Sequence, residues 1–276
     1  VIDRFRQLPA SLAERARTVR LAGSHVPGGV PALLLHPDWI GPAPTMIWLH
    51  GRTAYKEIDS GRFARWLRAG IAGVALDLPG HGEREDARAQ AADRTLEVLR
   101  GAIGEIDAVV EALADPVWQG VFDLDRLGLG GMSLGGMATL RRLCEPHEFR
   151  CAAVECTSGD LDGLYNPRSG SHPWGVGFAG AEVEPLDPAR HLEGFRPLPL
   201  LAMHSEADRI VPWGVQRAFL ERLRGHYEER GADPSLVRWR TWPTTGAPEE
   251  HSGFGRVSNE AKNELTGFLV GELVGA

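Results

Sequence analysis

The stretch Leu127-Gly128-Leu129-Gly130-Gly131-Met132-Ser133-Leu134-Gly135-Gly136 decides how this chain is read. Its apolar start predicts a buried strand over Leu127 to Gly130, and Met137 to Cys144 reads as a helix. A strand, a tight glycine turn with serine at its apex and a helix make the context of a nucleophile elbow. A serine on so sharp a turn leaves little room beside it, so the residues two before and two after must be small. Gly131 and Gly135 meet that need. With 34 Gly in the chain, Gly-x-Ser-x-Gly also arises by chance, so a base, an acid and an oxyanion hole must be found elsewhere.

Length and composition bound the search. The chain has 276 residues, 43% hydrophobic and 24% charged, which suits one large α/β domain or two small ones, with a sizeable core. A formal charge of −7, with no Lys/Arg block, argues against a nucleic-acid or anionic-membrane partner. No apolar run approaches the roughly 20 residues that span a bilayer. The start, Val1-Ile2-Asp3-Arg4-Phe5-Arg6, lacks the apolar centre of a signal peptide. Cys144, Cys151 and Cys156 fit no metal spacing or disulfide framework, so reduced thiols and a cytoplasmic location are expected. There is no His-x-x-x-His or Cys-x-x-Cys pair, so no metal is expected, and the reading calls for no cofactor.

Outward from the elbow, the pattern alternates. Residues 9–18 read as a short amphipathic helix with Ser11 as N-cap. Val19 to Val26 and Val30 to Leu35 read as a hairpin around Pro27-Gly28-Gly29. Further strands are expected at Thr45–Leu49, Gly73–Leu76, Cys151–Cys156, Leu198–Met203 and Val237–Trp242. Helices are expected at Ser60–Ala69, Ala91–Ala114, Trp213–Glu229 and Asn259–Val274. Such alternation implies a mostly parallel sheet covered on both faces, with the hairpin at one edge. Between Gly159 and Pro197 the text turns to Gly, Pro and aromatics, and only Pro188 to Gly194 looks helical. A connection that long predicts a small cap inserted at 159–197 within a single domain, 1–276.

Ligands of an open parallel sheet bind beyond the carboxyl ends of its strands. His50-Gly51-Arg52 follows one strand end, Asp77-Leu78-Pro79-Gly80-His81-Gly82 the next, and then Ser133. Asp208 follows the strand ending near Met203, and His251 follows the one ending at Trp242. A nucleophile, an acid and a base thus stand on one rim, in the order Ser, Asp, His. Asp160, Asp162 and Glu206 compete with Asp208, and His204, His226 and His172 compete with His251. His50 and His81 read as bracing residues, and Glu83, Arg84 and Glu85 as a solvated or loop-bracing cluster.

On these elements the chain resembles the α/β-hydrolase superfamily over nearly its whole length. Lys56-Glu57 and His81-Gly82-Glu83-Arg84-Glu85 further resemble compact bacterial esterases of the dienelactone-hydrolase-like kind. The resemblance implies an α/β-hydrolase fold and a serine hydrolase acting on small-molecule carboxylic esters. Amide or peptide hydrolysis, acyl transfer and a non-catalytic ligand-binding module are the rival readings. Ser133 would attack, His251 would take its proton, and Asp208 would orient and stabilise the imidazole. The backbone N–H groups of Leu134 and Arg52 would hold the oxyanion. The Arg52 side chain could crowd the pocket, meet an anionic substrate group or face solvent. Tyr165, Trp174 and Phe178 are candidates for the substrate pocket or for a small core of the cap. The sequence leaves the oligomeric state open, a homo-oligomer included.

Overall fold

The computed structural model describes residues 8–22, 26–167 and 175–275. Its centre is an eight-stranded sheet of order β1-β2-β4-β3-β5-β6-β7-β8. The strands are β1 (Ala16–Leu21), β2 (Val30–Leu35), β3 (Ala43–Leu49), β4 (Ala72–Leu76), β5 (Phe122–Met132), β6 (Cys151–Glu155), β7 (Leu200–Ser205) and β8 (Val237–Trp242). β2 runs antiparallel to both β1 and β4, and every other pairing is parallel. The helices are α1 (Ala10–Ala13), α2 (Ser60–Arg68), α3 (Thr95–Leu113), α4 (Leu134–Arg142), α5 (Leu161–Tyr165), α6 (Gly180–Val183), α7 (Trp213–Glu229) and α8 (Ser258–Leu269). None of them is long and apolar enough to cross a membrane.

Strand residues alternate between two cores, as the two-residue side-chain period requires. In β3, Ile47 and Leu49 join Leu99 and Val109 of α3, Leu140 of α4, and Phe219 and Leu223 of α7. Met46 and Trp48 face the other way, onto Phe63 and Trp66 of α2 and Leu265 and Phe268 of α8. Every residue of β3 is buried, which explains its largely apolar text; the one hydroxyl, on Thr45, donates to Ala43 O (2.9 Å). Full burial of each large side chain stabilises the fold by about 1.5–3 kcal/mol.

Three expectations needed correction. The helix expected at 9–18 is a single turn, Ala10–Ala13, because Ala16, Arg17 and Thr18 pair with Leu35, Leu34 and Leu33 of β2. That pairing outweighs the local helical preference. β1 ends at Leu21, short of the expected Val26, and residues 23–25 lie outside those described. The β6–β7 connection also holds more structure than its text suggested. It contains α5, α6 and three 3-10 turns at Glu184–Leu186, Pro188–Arg190 and Leu192–Gly194. The buried carboxylate of Asp187 clasps this connection by accepting from the backbone N–H groups of Leu161 (3.0 Å), Asp162 (3.2 Å) and Ala189 (3.1 Å).

From β3 the chain builds outward to β4 on one side, then returns to β5 on the other. That reversal opens a crevice at the carboxyl ends of β3 and β5. His50-Gly51-Arg52 and Ser133 occupy those two ends, so the topology itself brings them together.

Candidate active site

β5 ends at Met132 and α4 begins at Leu134, so Ser133 alone makes the turn, at φ 52° and ψ −118°. A non-glycine residue in that region stores about 1–3 kcal/mol and persists only where its surroundings hold it. Here Ser133 N–H donates to Glu155 O (2.8 Å), while Thr157 Oγ1 (2.6 Å) and Met137 N (2.9 Å) donate to Ser133 O. The flanking glycines are required by space. A Cβ on Gly131 would lie 2.5 Å from the carbonyl carbon of Gly135, and one on Gly135 would lie 2.2 Å from Leu49 O.

The side chains of Ser133, His251 and Asp208 form one hydrogen-bonded chain. Asp208 stands in the turn after β7, where its Oδ1 accepts from Ile210 N and Val211 N, both at 2.8 Å. Its Oδ2 lies 2.8 Å from His251 Nδ1, and His251 Nε2 lies 2.9 Å from Ser133 Oγ. An ionised carboxylate only accepts, so it selects the Nδ1–H tautomer and leaves the Nε2 lone pair toward the serine. All three residues are buried. His204 adds a further contact: its Nε2 lies 2.8 Å from Val211 O and 3.4 Å from Asp208 Oδ2. Burial lowers its pKa, so it is a neutral donor there.

His251 ends a loop held by the neighbouring Glu250. That carboxylate accepts from Ser205 Oγ (2.8 Å), Thr245 N (2.5 Å), Thr245 Oγ1 (2.8 Å) and Gly246 N (2.8 Å). These bonds favour the ionised form and, led by the Thr245 backbone N–H, pull its pKa down to about 2.

The other expected acids and bases are engaged elsewhere. Asp160 caps α5 through Gly163 N (2.8 Å), Asp162 accepts from Asn166 Nδ2 (3.1 Å), and Glu206 accepts from Thr241 Oγ1 (2.8 Å). His226 bonds to Phe195 O (2.9 Å), and His172 lies outside the described residues.

Gly51 packs against the serine, since a Cβ there would lie 3.3 Å from Ser133 Cβ. The turn is braced by His50, whose Nδ1–H donates to Gly51 O (2.6 Å) while its Nε2 accepts from Leu78 N–H (3.1 Å). Burial pushes the His50 pKa down to about 4, which keeps the ring neutral for this double role. The Arg52 guanidinium turns toward the 90–95 segment and donates to Thr95 Oγ1 and Gln90 O. Leu134 is the first residue of α4, so its N–H has no acceptor within the helix. The 77–85 loop is tied down by Lys56, whose Nζ reaches Asp77 Oδ2 (2.9 Å) and Glu83 Oε1 (2.6 Å). Arg84 pairs with Glu105, so Glu83 and Arg84 brace the loop.

Ser133 opens onto a cavity of about 1280 Å³. One wall carries an ion pair that the sequence reading missed. Arg62 forks onto Glu155, NH1–Oε1 at 2.7 Å and NH2–Oε2 at 2.8 Å, with both side chains buried. Asp59 and Lys262 extend it, 2.6 Å apart. The partners Arg62 and Glu155 lie 93 residues apart, so no local pattern signals the pair. Tyr165 is buried, and it lines a second, smaller cleft beside Ser133. Phe178 packs edge-on against Tyr165, ring centroids 5.0 Å apart, and is not among the residues lining either cavity. Trp174 lies outside the described residues.

Comparison with known proteins agrees with this architecture. The profile of the prolyl oligopeptidase family matches residues 59–273. Esterase YjfP of Escherichia coli (strain K12) is 27% identical over 204 residues, covering 71% of this chain and 79% of its own. A puromycin-hydrolyzing peptidase of Mycobacterium tuberculosis superposes with a TM-score of 0.70 at 18% identity. That match covers 94% of this chain but only 39% of the peptidase. A Klebsiella pneumoniae protein, provisionally named a dienelactone hydrolase, superposes with a TM-score of 0.66 at 15% identity, covering 92% of this chain and 98% of that one. At such identities the two superpositions establish the α/β-hydrolase fold and nothing finer. The family profile spans well over half of the chain, and the chain belongs to the prolyl oligopeptidase family.

Proposed function

We propose that this chain is a serine hydrolase that cleaves small carboxylic esters through an acyl-serine intermediate. One observation carries the reading: the unbroken chain of hydrogen bonds from Ser133 Oγ through His251 to Asp208, at 2.9 and 2.8 Å. The esterase name of the YjfP relative supports the ester substrate.

A serine hydroxyl is a weak nucleophile until a base takes its proton. In the proposed reaction the Ser133 Oγ–carbon bond forms as that proton passes to His251 Nε2. The imidazolium is stabilised by Asp208, and the oxyanion by the N–H groups of Leu134 and Arg52. Loss of one such donor costs about 3 kcal/mol of transition-state stabilisation. The carbon–oxygen bond to the alcohol then breaks, and Nε2 returns the proton to the departing oxygen. A water molecule, activated in the same way, releases the acid and restores Ser133.

Ser133→Ala is expected to lower kcat for short-chain aryl esters by about 10⁴-fold or more, with an unchanged thermal transition. Undiminished turnover by the variant overturns the assignment. Family membership favours a second reading, amide hydrolysis by the same groups. A panel of aryl esters and aminoacyl amides on the wild type separates the two. The cytoplasm is the proposed location, on the support of three buried cysteines that carry no disulfide. Cell fractionation checks this.

A further inference from the structure

Two cavities of very different size meet at Ser133. The larger, about 1280 Å³, is lined among others by His251, Gly253, Phe254, Trp48, Ile58 and Met132. The smaller leaves about 10 Å³ for the centre of a water-sized group and is walled by Leu134, Met137, Leu164, Tyr165, Ile210 and Val211, with Arg52 and Thr95 as its polar lining. Ile210 and Arg52 line both and form the partition between them. We infer that the small cleft receives the acyl group and the large cavity the alcohol, which makes this a deacetylase of bulky acetyl esters.

The assignment of sides rests on the proposed acyl-serine reaction and on proton transfer within it. His251 Nε2 takes the Ser133 proton and must then give it to the oxygen of the departing alcohol. That oxygen must lie within hydrogen-bond reach of Nε2, about 2.6–3.2 Å. The alcohol therefore leaves along the wall that contains His251, and His251 lines the large cavity and not the small one. With the oxyanion directed at the Leu134 N–H, the remaining substituent of the tetrahedral carbon points away from His251. The cleft beside Leu134 is what it meets.

Size then selects the acyl group. The centre of a water-sized group has about 10 Å³ in which to lie, so the cleft takes one small group such as a methyl. Away from the half-buried partition of Ile210 and Arg52, the walls are packed. Met137, Leu164 and Tyr165 are each 3% exposed and Val211 is 2% exposed. The Tyr165 hydroxyl reaches Met137 Sδ at 3.9 Å, which closes the floor, and Asp187 fixes the start of α5. A propionyl or longer chain has to displace packed side chains. The same barrier faces the side chain of an aminoacyl group.

The test is a series of para-nitrophenyl acetate, propionate, butyrate and hexanoate on the wild type. A methylene in a largely hydrophobic pocket changes kcat/KM by about 10–200-fold. The expected result is a fall of at least about tenfold from acetate to propionate and a further fall to butyrate. Acetates of bulkier alcohols, such as 1-naphthyl acetate, are expected to stay within several-fold of the nitrophenyl ester. Leu164→Ala should raise the butyrate-to-acetate ratio of kcat/KM by about tenfold or more. Butyrate or hexanoate turnover equal to acetate turnover in the wild type overturns the inference, whether or not the variant folds. If Ser133 still reacts with a fluorophosphonate, that result leaves the acyl-serine reading standing. Absence of both ester turnover and labelling overturns the two together.

Discussion

The turn under Ser133 and the loop under His251 both run through left-handed backbone, at φ 52° in the first and at 53° and 55° for Glu249 and Glu250 in the second. They are held there by different forces. At Ser133 the restraint is steric: backbone atoms crowd Gly131 and Gly135 so closely that no side chain fits. At His251 it is polar: one carboxylate, Glu250, gathers four donors from Ser205, Thr245 and Gly246. Ser133 is thus fixed by packing that belongs to the sheet itself, while His251 is fixed by a charge that can be removed without touching the core. The two should fail differently when perturbed.

The largest effect is expected at the elbow. Gly135→Ala places a Cβ 2.2 Å from Leu49 O and 2.6 Å from His50 O, both backbone atoms that cannot swing aside. Overpacking of this kind costs about 1–3 kcal/mol or more. Activity and Tm should fall together, by several degrees in a melting curve for a chain of this size. Wild-type Tm would break the steric half of the comparison.

At the His251 loop activity and stability should separate. Glu250→Ala is expected to lower kcat/KM for aryl acetates by about tenfold with a smaller fall in Tm than Gly135→Ala, because a displaced His251 costs rate out of proportion to structure. Glu250→Gln should recover part of that loss, since an amide oxygen still accepts from some of the donors. The loop's dependence on pH follows from the ionised form. The Glu250 carboxyl sits at about 2 in the folded chain against an ordinary 4.5, so its folded pKa is depressed. Its stabilising contribution is whole above about 4.5 and is lost as pH falls toward about 2. Urea denaturation of wild type and Glu250→Gln between those limits should show their stability difference shrinking with acid.

The smallest effect concerns Arg52. Its guanidinium is turned to Thr95 and Gln90, so it supports the turn through the 90–95 segment. Arg52→Ala should reduce kcat a few-fold with little change in KM for neutral esters. A large rise in KM instead would place the side chain on the substrate.

These differences track what the sequence made legible. The elbow was readable because steric need writes itself locally, as glycines two residues either side of Ser133. The strands were readable because burial on both faces leaves nearly continuous apolar text, as in β3 and β6. The chain order of Ser133, Asp208 and His251 pointed to one rim because strand ends of a parallel sheet converge there. Long-range polar pairing leaves no such trace. Arg62 meets Glu155 across 93 residues, and Glu250 was visible only as the residue before His251. Residues 9–18 misled for a related reason, since the partner that draws Ala16, Arg17 and Thr18 into a strand lies in β2. The β6–β7 connection was obscure because its short turns are set by Asp187 and by packing of Tyr165, not by a repeating pattern.

The central claim is that Ser133 is a nucleophile activated by His251. Its most direct measurement is peptide mapping by mass spectrometry after reaction of the folded protein with a fluorophosphonate. The account predicts one adduct, on Ser133, formed far more slowly in His251→Ala. An adduct on another serine, or an unmodified Ser133 in the active protein, would contradict it.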